Sequence, residues 1–264
     1  MNIDAHQHFW RYSPADYGWI GDDLAVLRRD FLPADLRPEL AAAGIGATVG
    51  VQARQSLRET DWLLELAANH EFIAGVVGWV PLASPEAGKE LERLAANPKL
   101  KAVRHVVQDE PEGFLRGAAF NRGVALLERH GLAYDILVHA HQLREATDFV
   151  DAHPGVTFVL DHLAKPKTLS PWSGDVRRLA ERPNVFCKVS GLVTEVGLET
   201  RPYLEVALEA FGPRRLLFGS DWPVCLAVCP YGRWAGVVRD FVKELSSGEQ
   251  DLVMGGNAAR AYKL

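Results

Sequence analysis

Eight short apolar runs punctuate the chain, each closed by polar residues or by Gly and Pro, and helical spacing recurs between them. They predict strands near 2–8, 46–53, 72–80, 100–107, 133–139, 157–162, 185–190 and 215–220. The intervening segments 61–68, 87–96, 121–130, 142–151 and 175–181 carry apolar residues at i, i+3 and i+4, as amphipathic crossovers do. Runs that are apolar on both faces and alternate with helices specify a parallel sheet. Eight such units close that sheet on itself, so the expected fold is an α/β protein of the (β/α)8 TIM-barrel class. The length of 264 residues suits one barrel of about 250 residues better than two ordinary domains. Residues 1–264 are therefore read as a single domain.

Composition narrows the partners. A net charge of -5 with no local basic stripe argues against a nucleic-acid binder and leaves a small molecule as the expected partner. The first residues lack a basic stretch followed by an apolar one, and no apolar run approaches the ~18 residues that span a bilayer. A cytoplasmic protein without membrane contact is expected. Cys187, Cys225 and Cys229 are too few for a disulfide framework and read as buried thiols. The longest connection follows the first strand. Its segment 10–20 is dense in aromatic and turn-forming residues and is expected to fold over the barrel mouth, either as a lid or as packing on the rim, ahead of a first crossover helix at 33–43. Residues 231–264 read as closing helices.

The chemistry gathers at the C-terminal ends of the strands, where barrels of this class place their active sites. His6 and His8 end the first strand two residues apart, a spacing that lets both side chains share one face and grip one metal ion. The other ends supply Gln52 and Arg54, Trp79, Arg104 and His105, His139, Asp161 and His162, Lys188 and Ser190, and Ser220 and Asp221. Burying such charge without partners costs several kcal/mol per ion, by order of magnitude. Arg54, Trp79, Arg104, His105, His139 and Lys188 are the candidates for substrate binding. Ion pairing or core hydrogen bonding is the alternative role for each of Arg104, Lys188 and His105. His70, His130, His141 and His153 sit near helix ends or just beyond a strand and are read as structural.

Asp4-Ala5-His6-Gln7-His8-Phe9-Trp10, Tyr17-Gly18-Trp19-Ile20, Val51-Gln52-Ala53, Leu160-Asp161-His162-Leu163-Ala164-Lys165-Pro166, Cys187-Lys188-Val189-Ser190-Gly191-Leu192 and Phe218-Gly219-Ser220-Asp221-Trp222-Pro223 together resemble the amidohydrolase superfamily. The likeness is to its sugar-lactonase branch, whose members hydrolyse L-fuconolactone, L-rhamnonolactone and related aldonolactones. The resemblance implies one divalent metal ion, zinc, facing His6, His8 and Asp221. His162 stands beside it as ligand or proton-handling group, and His139 is a positional candidate for a further ligand. Two-metal relatives use a modified lysine at the end of the fourth strand. Here that end reads Val103-Arg104-His105, with Lys101 at the strand's beginning. The implied activity is metal-assisted hydrolysis of a sugar lactone to the aldonic acid, with Asp221 and His162 catalytic and no serine or cysteine nucleophile. The alternatives are a decarboxylase or other lyase of the same superfamily acting on a carboxylated substrate, and a barrel retained for binding alone.

Overall fold

The computed structural model describes residues 1–264. Eight strands, β1 (Ile3–Gln7), β2 (Ala47–Val51), β3 (Ile73–Gly78), β4 (Leu100–Val106), β5 (Ala133–Leu137), β6 (Phe158–Leu160), β7 (Val185–Val189) and β8 (Leu216–Phe218), form one sheet in sequence order. Every neighbouring pair is parallel. Just beyond β8 a parallel bridge between Gln7 and Trp222 draws the sheet round on itself. At this seam His8 donates its amide to the Trp222 carbonyl at 2.7 Å, and Asp221 donates to the His6 carbonyl at 2.8 Å. The (β/α)8 expectation is met.

The crossovers are α1 (Pro33–Ala42), α2 (Leu57–Asn69), α3 (Ala87–Ala95), α4 (Ala118–His130), α5 (Leu143–Asp151), α6 (Trp172–Ala180), α7 (Leu192–Val196) and α8 (Arg201–Phe211). After β8 come α9 (Tyr231–Val242), α10 (Ser247–Asp251) and α11 (Asn257–Tyr262). Local chemistry sets several ends. Ser56 caps α2 by accepting the Glu59 amide, and Gly131 ends α4 at a φ of 64°, a left-handed value that glycine adopts without a Cβ clash. No helix is long and apolar enough to cross a membrane.

Two departures from the sequence reading matter. The expected strand at 157–162 stops at Leu160, and that at 215–220 stops at Phe218, because the chain turns there to aim the site. Helix α8 was not foreseen, although Tyr203, Leu204, Ala207 and Phe211 form its buried stripe. α11 packs across the strand starts, its Ala258, Ala261 and Tyr262 buried with Val49, Val77, Ala102, Val159 and Leu217. Lys101 Nζ donates to the Lys263 carbonyl at 2.9 Å and Lys263 Nζ to the Gly131 carbonyl at 3.0 Å, which fastens the C-terminal end there.

The segment 10–20 forms a wall. Trp10 and Tyr17 are buried, and Trp10 exchanges backbone hydrogen bonds with Phe31. The Tyr17 hydroxyl donates to Glu59 Oε1 at 3.2 Å, while the other oxygen of that buried carboxylate accepts the amides of Ala53 and Arg54. Trp19 remains 45% exposed, which leaves its indole facing the mouth.

Candidate active site

The seam of the barrel assembles the centre. Strand β1 ends in His6 and His8, whose Nε2 atoms lie 3.1 Å apart. Asp221 adopts a left-handed φ of 56° beside them, held by its amide bond to the His6 carbonyl. Its Oδ1 stands 3.4 Å from His8 Nε2, 3.6 Å from His6 Nε2 and 3.9 Å from His162 Nε2. All four side chains are buried.

The far side of each imidazole is anchored. His8 Nδ1 meets the Val51 carbonyl at 2.8 Å; a carbonyl can only accept, so the proton is on Nδ1 and the lone pair on Nε2. His6 Nδ1 lies 3.2 Å from Asp161 Oδ1, and His162 Nδ1 lies 3.0 Å from Ser190 Oγ. Two imidazole nitrogens and a carboxylate oxygen thus face one another. Lone pairs at this spacing repel unless a cation lies among them, so the donor set fits a divalent metal held by His6, His8 and Asp221. A second group, His6, Asp161 and His162, also lies close enough to share an ion. Its Asp161, however, is committed to Arg104 Nη1 at 2.9 Å and Lys188 Nζ at 2.9 Å.

Electrostatics leave these groups in protonation states that suit ligands. Burial lowers the pKa of His162 to about 4 despite the nearby carboxylates, and burial likewise holds His6 well below its usual value. Both imidazoles are neutral at pH 7. Burial would raise Asp221, but His162, His8 and His6 outweigh it and hold the carboxyl well below the usual range.

Below the centre runs a fully buried charge chain. Lys188 Nζ lies 2.5 Å from Asp135 Oδ2, 2.9 Å from Asp161 Oδ1 and 3.1 Å from His6 Nδ1, and the Tyr262 hydroxyl lies 2.9 Å from Asp135. Asp4 plays a similar part at the seam. Its carboxylate accepts the amides of His6 and Ser220 at 3.1 and 2.8 Å and the hydroxyls of Ser220 and Tyr231 at 2.6 and 3.1 Å. Sequence reasoning assigned no role to Asp4 or Asp135. A carboxylate inside the apolar run of β5 was the available signal.

His162 is aimed by an unusual turn. Residues 162–165 all have φ between 52° and 62° without a glycine among them, a left-handed turn that costs about 1–2 kcal/mol per residue. Lys165 donates its amide to the His162 carbonyl at 2.8 Å, and the Trp172 indole donates to the Leu163 carbonyl at 2.7 Å. Gly191 makes room, since a Cβ there would stand 2.3 Å from His162 Nδ1.

Above the centre opens a cavity of about 400 Å³, lined by His8, His162 and Asp221 and by Arg54, Arg104 and Trp19 among others. Arg54 is ion-paired with Asp16 and Glu59, and Arg104 also donates to the Gln52 carbonyl. The remaining substrate-binding candidates are not in this wall. Lys188 is enclosed beneath the floor, where two carboxylates compensate its charge. Trp79 Nε1 donates to His105 Nδ1 at 3.4 Å, and His105 pairs with Glu110 at 2.7 Å while stacking on Phe114. His139 lines a neighbouring cavity and is absent from both groups of converging ligands. Lys165, Asp16, Gln55 and Asp109 line the same cavity without having been foreseen.

A family model described as amidohydrolase matches residues 3–264. The chain belongs to the amidohydrolase family. This amidohydrolase is 43% identical to a protein of Burkholderia multivorans named L-fucono-1,5-lactonase, over 100% of this chain and 96% of the relative. A second protein of that name, from Burkholderia ambifaria, is 36% identical over the same shares. A crystal structure of a Burkholderia multivorans amidohydrolase with bound Zn superposes with a TM-score of 0.96 at 43% identity, covering 100% of this chain and 99% of that one.

Proposed function

We propose that this amidohydrolase opens L-fucono-1,5-lactone, or an aldonolactone close to it, to the aldonic acid. One zinc ion is held by His6, His8 and Asp221, with His162 at its side. A zinc ion on such ligands, with one position open, polarises a carbonyl oxygen and brings the pKa of a coordinated water to about 7. The Arg104 guanidinium, 3.5 Å from His6 Nε2, places a fixed cation beside the centre, which favours one ion over two.

The residues divide the remaining work. Asp221, kept ionised, takes the proton of the attacking water and returns it to the departing ring oxygen. His162 is neutral and fixed by Ser190, so its Nε2 can face the charge that develops on the ester carbonyl. Arg54 and Arg104 offer donors to the ring hydroxyls, and Trp19 closes one side. The buried, unpaired thiols suit a reducing compartment, which supports the cytoplasm as the place of reaction.

The observation that carries this reading is Asp221 Oδ1 within 3.9 Å of three imidazole nitrogens at the floor of an open cavity. A panel of aldonolactones assayed by proton release with a pH indicator tests it. Turnover of L-fucono-1,5-lactone is expected. Carbon dioxide release from a carboxylated substrate, without lactone turnover, would assign a lyase instead.

A further inference from the structure

Ring opening converts a neutral lactone into an acid that is ionised at pH 7, so the catalytic cavity must accommodate an anion it did not admit. Its wall is poorly suited to this at most points. Away from the proposed zinc position, Asp109 lines it in no ion pair and repels a carboxylate, and Asp16 is spent on Arg54. Two of its cations are already committed, Arg54 to Asp16 and Glu59 and Arg104 to Asp161. The remaining cation of the lining, Lys165, takes part in none of the ion pairs of the fold.

Lys165 also stands between two cavities. Behind it lies a second space of about 350 Å³, lined by His139, His141, Lys165 and Lys167 together with Ala140, Thr168, Pro171 and Trp172, and by no carboxylate. Lys165 and Lys167 carry its positive charge, and the half-buried Glu195 is a carboxylate within range of both. The lysine is presented by the end of the left-handed turn, with Leu163 and Ala164 fully buried behind it and the Trp172 indole bonded to the Leu163 carbonyl. Burial is the main cause that lowers the pKa of His139 and His162, and the charge of Lys165 lowers both further, so it is felt on both sides.

We propose that Lys165, backed by the carboxylate-free cavity of His139, His141 and Lys167, is the seat of the carboxylate of the ring-opened acid. Lys165 distinguishes the ionised product from the neutral lactone and sets how strongly the product is retained. This rests on the lactonase reading for the identity of the acid, though not for the existence of an anion seat.

The test uses the zinc-loaded enzyme and L-fuconate as probe. The inhibition constant of L-fuconate and the KM of L-fucono-1,5-lactone are measured for the wild type, Lys165→Met and Lys165→Arg. Lys165→Met is expected to raise the inhibition constant about tenfold, the loss of one charge-assisted contact, and by more than it raises KM. Lys165→Arg should recover most of that loss. Added salt should weaken inhibition of the wild type more than that of Lys165→Met. Equal rises in the inhibition constant and KM, no rise, or failure of Lys165→Arg to recover binding would overturn the proposal. His139→Gln combined with Lys167→Met leaves the left-handed turn alone. It should weaken L-fuconate about two- to threefold, and unchanged inhibition would count against the seat even if Lys165→Met does not fold. If the wild type turned over no lactone, the lactonase reading would fall. Calorimetric titration of L-fuconate into the wild type and Lys165→Met would still decide the seat.

Discussion

The amide of Asp221 donates to the carbonyl of His6 at 2.8 Å, while the carboxylate of the same aspartate faces the ring of the same histidine at 3.6 Å. The backbone contact that closes the barrel therefore also sets the separation of two candidate metal ligands.

Asp221→Asn keeps the shape of the side chain but cannot take a proton from water. Loss of general acid-base catalysis lowers rate by about 10²–10⁴, so kcat should fall by that order with a much smaller change in KM. Steady-state kinetics on protein of measured metal content checks this. Near-normal turnover would move the proton-carrying role to His162.

His8→Ala removes a proposed ligand whose Nε2 is freed by the bond between Nδ1 and the Val51 carbonyl. Metal content and rate should decline together, and excess Zn²⁺ should restore part of the rate. A variant that kept full metal content yet lost activity would contradict the ligand role.

Lys188→Met tests the enclosed charge chain. Asp135 and Asp161 would be left without their shared ammonium, and breaking a buried pair typically costs about 3–5 kcal/mol. Chemical denaturation should show a loss of that size. A lysine that served only the substrate would instead raise KM at unchanged stability.

Gly191→Ala should disturb His162 directly. The residue has a φ of +61°, and the added methyl would stand 2.3 Å from His162 Nδ1. We expect a stability loss of about 1–2 kcal/mol from the backbone alone, with a larger drop in kcat than in thermal stability. Wild-type kcat in this variant would show that the ring is free to shift.

Acid sensitivity follows from the same histidine. Its pKa falls from 6.5 to about 4 on folding, so between those values the unfolded chain binds more protons and stability declines as pH drops. This contribution is intact above pH 6.5 and fully lost below pH 4, and amounts to about 3 kcal/mol. The metal-free His162→Gln protein should lose correspondingly less stability than metal-free wild type over that window, measured by urea denaturation at several pH values. Parallel losses would exclude His162 as the titrating group.

Much of the barrel was legible because apolar runs and helical periodicity report burial, which is what a closed sheet wrapped in helices requires. His6, His8, His162 and Asp221 were legible as strand-end residues and as parts of recognisable motifs. The substrate wall was harder to read. Arg104 and His105 are adjacent on one strand and cannot share a face: Arg104 lines the cavity at the barrel mouth, whereas His105 stacks against Phe114. Lys188 was misplaced for another reason. Its two carboxylate partners come from β5 and from the residue just after β6, and pairing across strands leaves no local signature. The turn at 162–165 was likewise invisible, since four consecutive non-glycine residues in the left-handed region contradict local preference and persist through tertiary support.

The seam also ties distant parts of the chain to one another. More than two hundred residues of sequence separate His6 and His8 from Asp221. Neither strand end holds the whole donor cluster, which exists only across the closing contact. An opening of the barrel between β1 and the residues after β8 would therefore part these donors while the other strand pairs stayed intact.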